Sequence, residues 1–352
     1  MGGRRRLEFA GSVDSVKAVI TAVHFRNFKA LRSAAVRLEP FNLVIGPSGS
    51  GKTSLIQALL RLRTLSGLPV THTPELKGQR PAGPQIEFHF SSPFQNVRVT
   101  LGCTSDQLMC DRLVVDHPPG IPGEGQWAEV RTQLQGIRAF LFDHYAMAVP
   151  AKRGDGAELA SNAANLAAVL AQRRTQAPEA MAQLEEDFCR VLPEFSGLDF
   201  RDTADGRIEL LAQLADGREI LSAENLSQGT LYLLAILCLA HDPHPPAIIC
   251  LEEADRGVHP RLLREVRDAF YRLSHPLAGT RAPVQVIATT HSPYLLDLFR
   301  DHPEEVVLAN KHGNAANFER LSERADLLEL MKETNLGDLW YSGILGGVPG
   351  DS

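Results

Sequence analysis

The chain has 352 residues, 36 basic and 42 acidic side chains, a formal net charge of −6 and 44% hydrophobic residues. That length and apolar content exclude a disordered chain and predict a substantial folded core. The mild acidity disfavours general nucleic-acid binding without excluding a local basic groove, no run is apolar and long enough to span a bilayer, and Met1–Arg6 has no apolar stretch behind it to make a secretory signal.

In chain order, residues 17–65 pattern as strands, a Gly-rich loop and a helix. Phe41–Ile45 is an apolar run with the look of a buried strand, and Ser54–Leu62 carries apolar residues at helical spacing. Residues 66–84, rich in Gly, Pro and Thr, predict a surface linker. From Gln85 to about Val115 apolar and polar residues alternate, which predicts antiparallel strands. His117–Gly125, with three prolines, predicts a loop. Residues 157–192 predict a small helical lobe, and Gly206 to Ile220 a hairpin. Leu231–Ala240 is an apolar helical stretch; Ala247–Leu251 and Val284–Thr289 are apolar strands. The fold class that follows is α/β: a mainly parallel central sheet with an antiparallel β subdomain and a helical lobe. We divide the chain into a P-loop half (17–84), a β-rich subdomain (85–150), a helical lobe with hairpin (151–225) and a final half (226–352), all within one composite domain.

Four short motifs carry chemistry. Gly46-Pro47-Ser48-Gly49-Ser50-Gly51-Lys52-Thr53 lies between a strand and a helix, the context a phosphate-binding P-loop requires. Its glycines let the backbone turn its N–H groups onto phosphate oxygens. Lys52 is expected to reach the β- and γ-phosphates, and the Thr53 hydroxyl to bind Mg²⁺. Glu252 and Glu253 end a buried strand, a costly place for carboxylates without a task; Glu252 suits a metal-bound water and Glu253 a general base for an attacking water. Ser227, Gln228 and Gly229 open an apolar helix. Locally Ser227 is an N-cap; functionally it suits a second wall for a γ-phosphate already gripped on one side, supplied by another copy of the chain. His291, in Thr289-Thr290-His291-Ser292-Pro293, follows the next strand and suits a γ-phosphate sensor.

In this order the four motifs resemble the ABC-type ATPases of the RecF/SMC/OLD group, and most closely the short bacterial AAA-type, RecF-like ATPases. Val23–Lys29 resembles the group's opening strand, Asn165–Leu170 a recurrent helix, Glu252–Pro260 its Glu-Glu-Pro-Glu-x-Gly-x-His-Pro run, and Leu336–Trp340 with Gly343–Gly347 its closing segment. Ala254 departs from the group's Pro, and Glu252 from the commoner Asp. A Q-loop glutamine is missing near Phe142-Asp143-His144. No sustained heptads separate Lys52 from Ser227, so a compact head is expected rather than a long coiled coil. The resemblance implies a soluble ATP- and Mg²⁺-dependent switch, closing as a homodimer around ATP, in DNA repair or anti-phage defence with a separate effector such as a nuclease, and DNA as a further possible ligand. The alternative is the nucleotide-binding subunit of a membrane transporter. Asn310-Lys311-His312-Gly313 has Gly where a guanine-reading motif needs Asp, so GTP selection has no support. The five cysteines (103, 110, 189, 238 and 250) are expected to be unpaired, in a reducing cytoplasm, with no zinc site.

Overall fold

A computed structural model describes residues 19–68, 83–103, 110–116, 123–277 and 281–346. The chain opens with β1 (Ile20–Phe28), β2 (Leu31–Arg37) and β3 (Phe41–Ile45), then α1 (Lys52–Ser66). β4 (Gln85–Phe90), β5 (Arg98–Cys103) and β6 (Cys110–Asp116) follow, then α2 (Gly123–Gln135), β7 (Ile137–Phe140), α3 (His144–Ala148) and β8 (Ala151–Lys152). Next come α4 (Leu166–Gln176), α5 (Pro178–Val191), β9 (Phe195–Asp202), β10 (Arg207–Leu214), β11 (Ile220–Ser222) and α6 (Gln228–Ala240). The last part holds β12 (Ile248–Leu251), α7 (Leu263–Ser274), β13 (Gln285–Thr290), α8 (Pro293–Asp297), β14 (Val306–His312), β15 (Ala315–Arg320), α9 (Leu327–Glu333) and α10 (Leu336–Tyr341).

The central sheet has the order β15-β14-β3-β13-β12-β7 and is parallel except at the β14–β15 hairpin. Its middle strands, β3, β12 and β13, are buried along their whole length, as strands covered on both faces must be. Alternate residues serve two cores. Leu43, Ile249, Leu251 and Ala288 face α4–α7 and the sheet β9–β11; Val44, Ile248, Cys250 and Ile287 face α1, α2 and the five-stranded antiparallel sheet β2-β1-β4-β5-β6. The period of two along each strand is what lets one sheet close both cores.

The antiparallel β4–β6 block and the α4–α5 lobe stand where the sequence predicts them, and α1, of 15 residues, is the longest helix among the described residues, so no coiled-coil arm leaves the described parts. Two expectations need correction. Of the loop predicted over His117–Gly125, residues 117–122 lie outside the described residues, and from Gly123 a helix stands instead, because the chain beyond carries Trp127, Val130 and Leu134 at helical spacing into the core beside α1. The cysteines are not all unpaired: Cys103 and Cys110 form a disulfide. The β5–β6 register places them directly opposite each other, a proximity that only strand pairing creates. Cys189, Cys238 and Cys250 are free. Most of the predicted 66–84 linker lies outside the described residues, as does Gly347 of the closing segment.

Candidate nucleotide site

The site forms at the C-terminal ends of β3, β12 and β13, where an open parallel sheet offers a crevice. β3 leads into the P-loop, whose turn uses left-handed backbone at Gly49 and Gly51 (φ 75° and 99°). At Gly46 the constraint is space instead: a Cβ would sit 2.3 Å from the Ala309 carbonyl oxygen. Ser50 Oγ is buried without a hydrogen-bond partner among the described residues, an orphaned polar atom within the P-loop turn, as a cradle for an anion would leave it.

Lys52 opens α1 and is only 8% exposed. Its Nζ donates to the carbonyls of Gly46 (2.6 Å) and Pro47 (3.0 Å). Burial lowers its pKa to about 8, with Glu253 and Glu252 pulling it back up. Thr53 Oγ1 donates to Glu252 Oε2 at 3.0 Å. A P-loop hydroxyl and a strand-end carboxylate thus present oxygens side by side across the crevice, a donor pair of the kind Mg²⁺ takes along with water and phosphate. Glu252 in place of Asp still reaches.

Glu253 stands at the turn after β12 with a left-handed backbone (φ 52°), uncommon for a residue with a Cβ. Its N–H donates to Thr289 Oγ1 at 3.0 Å, and Ala254 N–H to the Thr289 carbonyl at 2.9 Å. The turn is therefore pinned to β13, and the Glu253 carboxylate, half exposed, lies 3.5 Å from Arg256. Thr290 Oγ1 bonds Asp255 and accepts from Ser292 N–H, which shapes the loop bearing His291. Burial holds the His291 pKa below its usual value; Lys52 lowers it further, against Asp255 and Glu253.

The structure thus gathers the P-loop, Glu252, Glu253 and His291 into one crevice. Ser227, Gln228 and Gly229 pack elsewhere. Ser227 Oγ caps α6 by accepting from Thr230 N–H at 3.1 Å and shares a 2.8 Å contact with Thr230 Oγ1. Gly229 and Gln228 abut Gly257, on the turn that follows Glu253; a Cβ on Gly229 would lie 2.8 Å from the Gly257 carbonyl. No hydrogen bond joins this segment to the P-loop among the described residues. Asp143, at the expected Q-loop position, instead caps α3 by accepting from Tyr145 N–H at 3.0 Å. Thr289 and Thr290 had no role in the sequence reading; their hydroxyls became visible only when β13 was seen beside β12. A separate cavity of about 470 Å³ lies at the opposite, N-terminal end of β7 and β12. Its two guanidiniums are already paired, Arg138 with Glu158 at 2.5 Å and Arg173 with Asp242 at 3.3 Å.

Solved structures share this arrangement of elements. An Smc head bound to the C-terminal winged-helix domain of ScpA aligns with a TM-score of 0.56 at 14% identity, over 89% of this chain and 99% of that one. The Smc head with an extended coiled coil from Pyrococcus furiosus gives 0.53 at 13% identity, over 89% and 99%. The Smc head with a coiled coil and joint from Pyrococcus yayanosii gives 0.52 at 10% identity, again over 89% and 99%. Residues 152–297, from β8 through α8, match the family described as AAA domain, putative AbiEii toxin, Type IV TA system. The chain thus has the fold of the Smc heads, and less than half of it is similar to the AAA family. No curated protein matches the chain. The P-loop motif lies outside the span matched to the AAA family, which takes in the lobe, the Ser-Gln-Gly helix, the acidic strand and the His291 loop. No helix among the described residues is long and apolar enough to cross a membrane.

Proposed function

We propose that the protein is a Mg²⁺-dependent ATPase whose catalytic centre is completed by a second copy of the chain. The observation that carries the reading is the Thr53–Glu252 hydrogen bond with Glu253 next in sequence. It supports reading Thr53 and Glu252 as a metal-type oxygen pair and Glu253 as the general base beside the P-loop. Mg²⁺ held at Thr53 and Glu252 would neutralise charge on the phosphates. The P-loop N–H groups and Lys52 bind and orient the triphosphate. Glu253 accepts the proton of the attacking water, its backbone held by the Thr289 pin. His291, kept neutral at pH 7 by burial, offers a hydrogen bond to the γ-phosphate without adding charge.

Ser227 and Gly229 crown an α-helix N-terminus, where unpaired donors favour an anion, yet they have no bond to the P-loop of their own chain. A symmetric pair of heads would give them the partner's γ-phosphate, each copy serving the other. ATP would then close the dimer and hydrolysis would open it. The Smc heads bound to a domain of ScpA support a separately encoded partner here, and the RecF-like resemblance supports a task in DNA repair or anti-phage defence with an effector such as a nuclease.

The test is ATPase rate against protein concentration for the wild type and Glu253→Gln. Specific activity should climb with concentration. The variant should lose about 10²-fold or more of turnover while still binding ATP and accumulating as a dimer. A specific activity independent of concentration sinks the shared centre, and undiminished turnover in Glu253→Gln sinks the assigned base.

A further inference from the structure

The side chains that handle the terminal phosphate all lie on one flank of the P-loop strand. In the order β14-β3-β13-β12, His291 follows β13, and Glu252 and Glu253 follow β12. A triphosphate whose γ end faces Glu253 must run its α-phosphate and sugar away from these groups, toward the β14 flank. There β14 runs parallel to β3 with Leu308 opposite Ile45. The residues after Leu308 therefore ride alongside the P-loop itself. Ala309 closes on Gly46, and Lys311 on Gly49: a Cβ at Gly49 would lie 3.7 Å from Lys311 Nζ. Phe318, on the returning strand, closes on Gly51 at 3.5 Å by the same measure.

Lys311 is exposed and makes no ion pair among the described residues. An ammonium held against a phosphate loop, with no carboxylate to neutralise it, is suited to an anionic ligand. We propose that Lys311 binds the nucleoside end of the nucleotide, donating to the α-phosphate and ribose oxygens, on the side of the loop opposite Lys52's targets. The inference rests on the nucleotide-binding reading above and adds a contact that the four motifs do not contain. Gly313, in left-handed backbone at the tip of the hairpin (φ 56°), supplies no carboxylate to read a base, so the contact is blind to base identity.

The experiment is calorimetric titration of the full chain with Mg²⁺ and each of ADP, GDP and inorganic pyrophosphate, for wild type, Lys311→Met, Lys311→Arg and Lys52→Ala. Lys311→Met should bind ADP and GDP about tenfold more weakly, by the same factor for both, as expected for one charge-assisted hydrogen bond near solvent. Pyrophosphate affinity should be unchanged, and Lys311→Arg should recover most of the loss. Unchanged ADP affinity in Lys311→Met, or an equal loss for pyrophosphate, overturns the assignment. Lys52→Ala losing all three ligands while Lys311→Met loses none would reject this contact and leave the nucleotide site standing; a wild type that binds none of them would reject both.

Discussion

Lys52 is the residue where burial and charge meet most directly. Its ammonium is nearly enclosed and its pKa falls to about 8, against about 10.4 in an unfolded chain. The folded-state pKa is depressed, so between pH 8 and 10.5 the unfolded chain holds more protons than the folded one. By linkage, stability from this group rises with pH across that window. Lys52→Met removes the titration. In denaturant unfolding without nucleotide, the stability difference between Lys52→Met and wild type should shift in favour of wild type by about 2 kcal/mol from pH 7.5 to 9.5. Nucleotide binding needs the charged form, so wild-type ATP affinity should fall over the same rise in pH. An affinity flat from pH 7 to 9 would show that Lys52 stays fully protonated. Burial shifts His291 in the same direction: its lowered pKa leaves it uncharged at neutrality. His291→Ala should reduce kcat about 10- to 100-fold with little change in ATP affinity, measured by single-turnover hydrolysis beside equilibrium binding.

At the scale of elements, the turn after β12 and the start of α6 act as a pair. Gly257 and Gly229 each leave no room for a side chain against the other segment, so the Ser-Gln-Gly helix and the Glu253 turn are packed as one unit. Gly229→Ala should strain that contact, and a methyl forced against a carbonyl 2.8 Å away is expected to cost about 1–3 kcal/mol, seen as a lowered Tm. Ser227→Gly should cost only a few tenths of a kcal/mol because the cap can be replaced by water, which separates the helix's stability from its chemistry. The same pairing marks where sequence reasoning stops. Gly46–Thr53, Glu252–Glu253 and the strands around them were legible because glycine conformation, helical spacing and buried apolar runs are local properties. The Thr289 and Thr290 hydroxyls, the Cys103–Cys110 bond and the approach of Lys311 to Gly49 depend on which strands become neighbours. Register over long sequence separations sets those contacts. For the disulfide, reduction should lower the unfolding free energy by about 2 kcal/mol, measured with and without dithiothreitol; no change would mean that the two thiols are unpaired in solution.

At the scale of the whole molecule, the question is why a chain carrying all four motifs would leave Ser227 without a bond to its own P-loop. The sheet answers part of it. The turns after β12 and β13 bring Glu253 and His291 within electrostatic reach of Lys52, whereas α6 begins against Gly257. Each protomer thus presents one nucleotide-facing edge and one helix N-terminus free to meet another such edge. If two copies join those surfaces, defects in different halves should complement. A Lys52→Ala protomer cannot hold ATP but retains Ser227; a Ser227→Arg protomer holds ATP but blocks the partner's γ-phosphate. Each alone should be inactive. Mixed in equal amounts, a heterodimer pairs the intact P-loop of the Ser227→Arg chain with the intact Ser227 of the Lys52→Ala chain. One working centre forms in about half of the dimers, by the statistics of random pairing between equivalent surfaces. Restored turnover at about a quarter of the wild-type rate per protomer is the expected result, if one centre can fire without the other. Mixtures that stay inactive although the two chains co-elute as a dimer would mean that both centres must act together, and chains that never associate in ATP would remove the shared centre altogether.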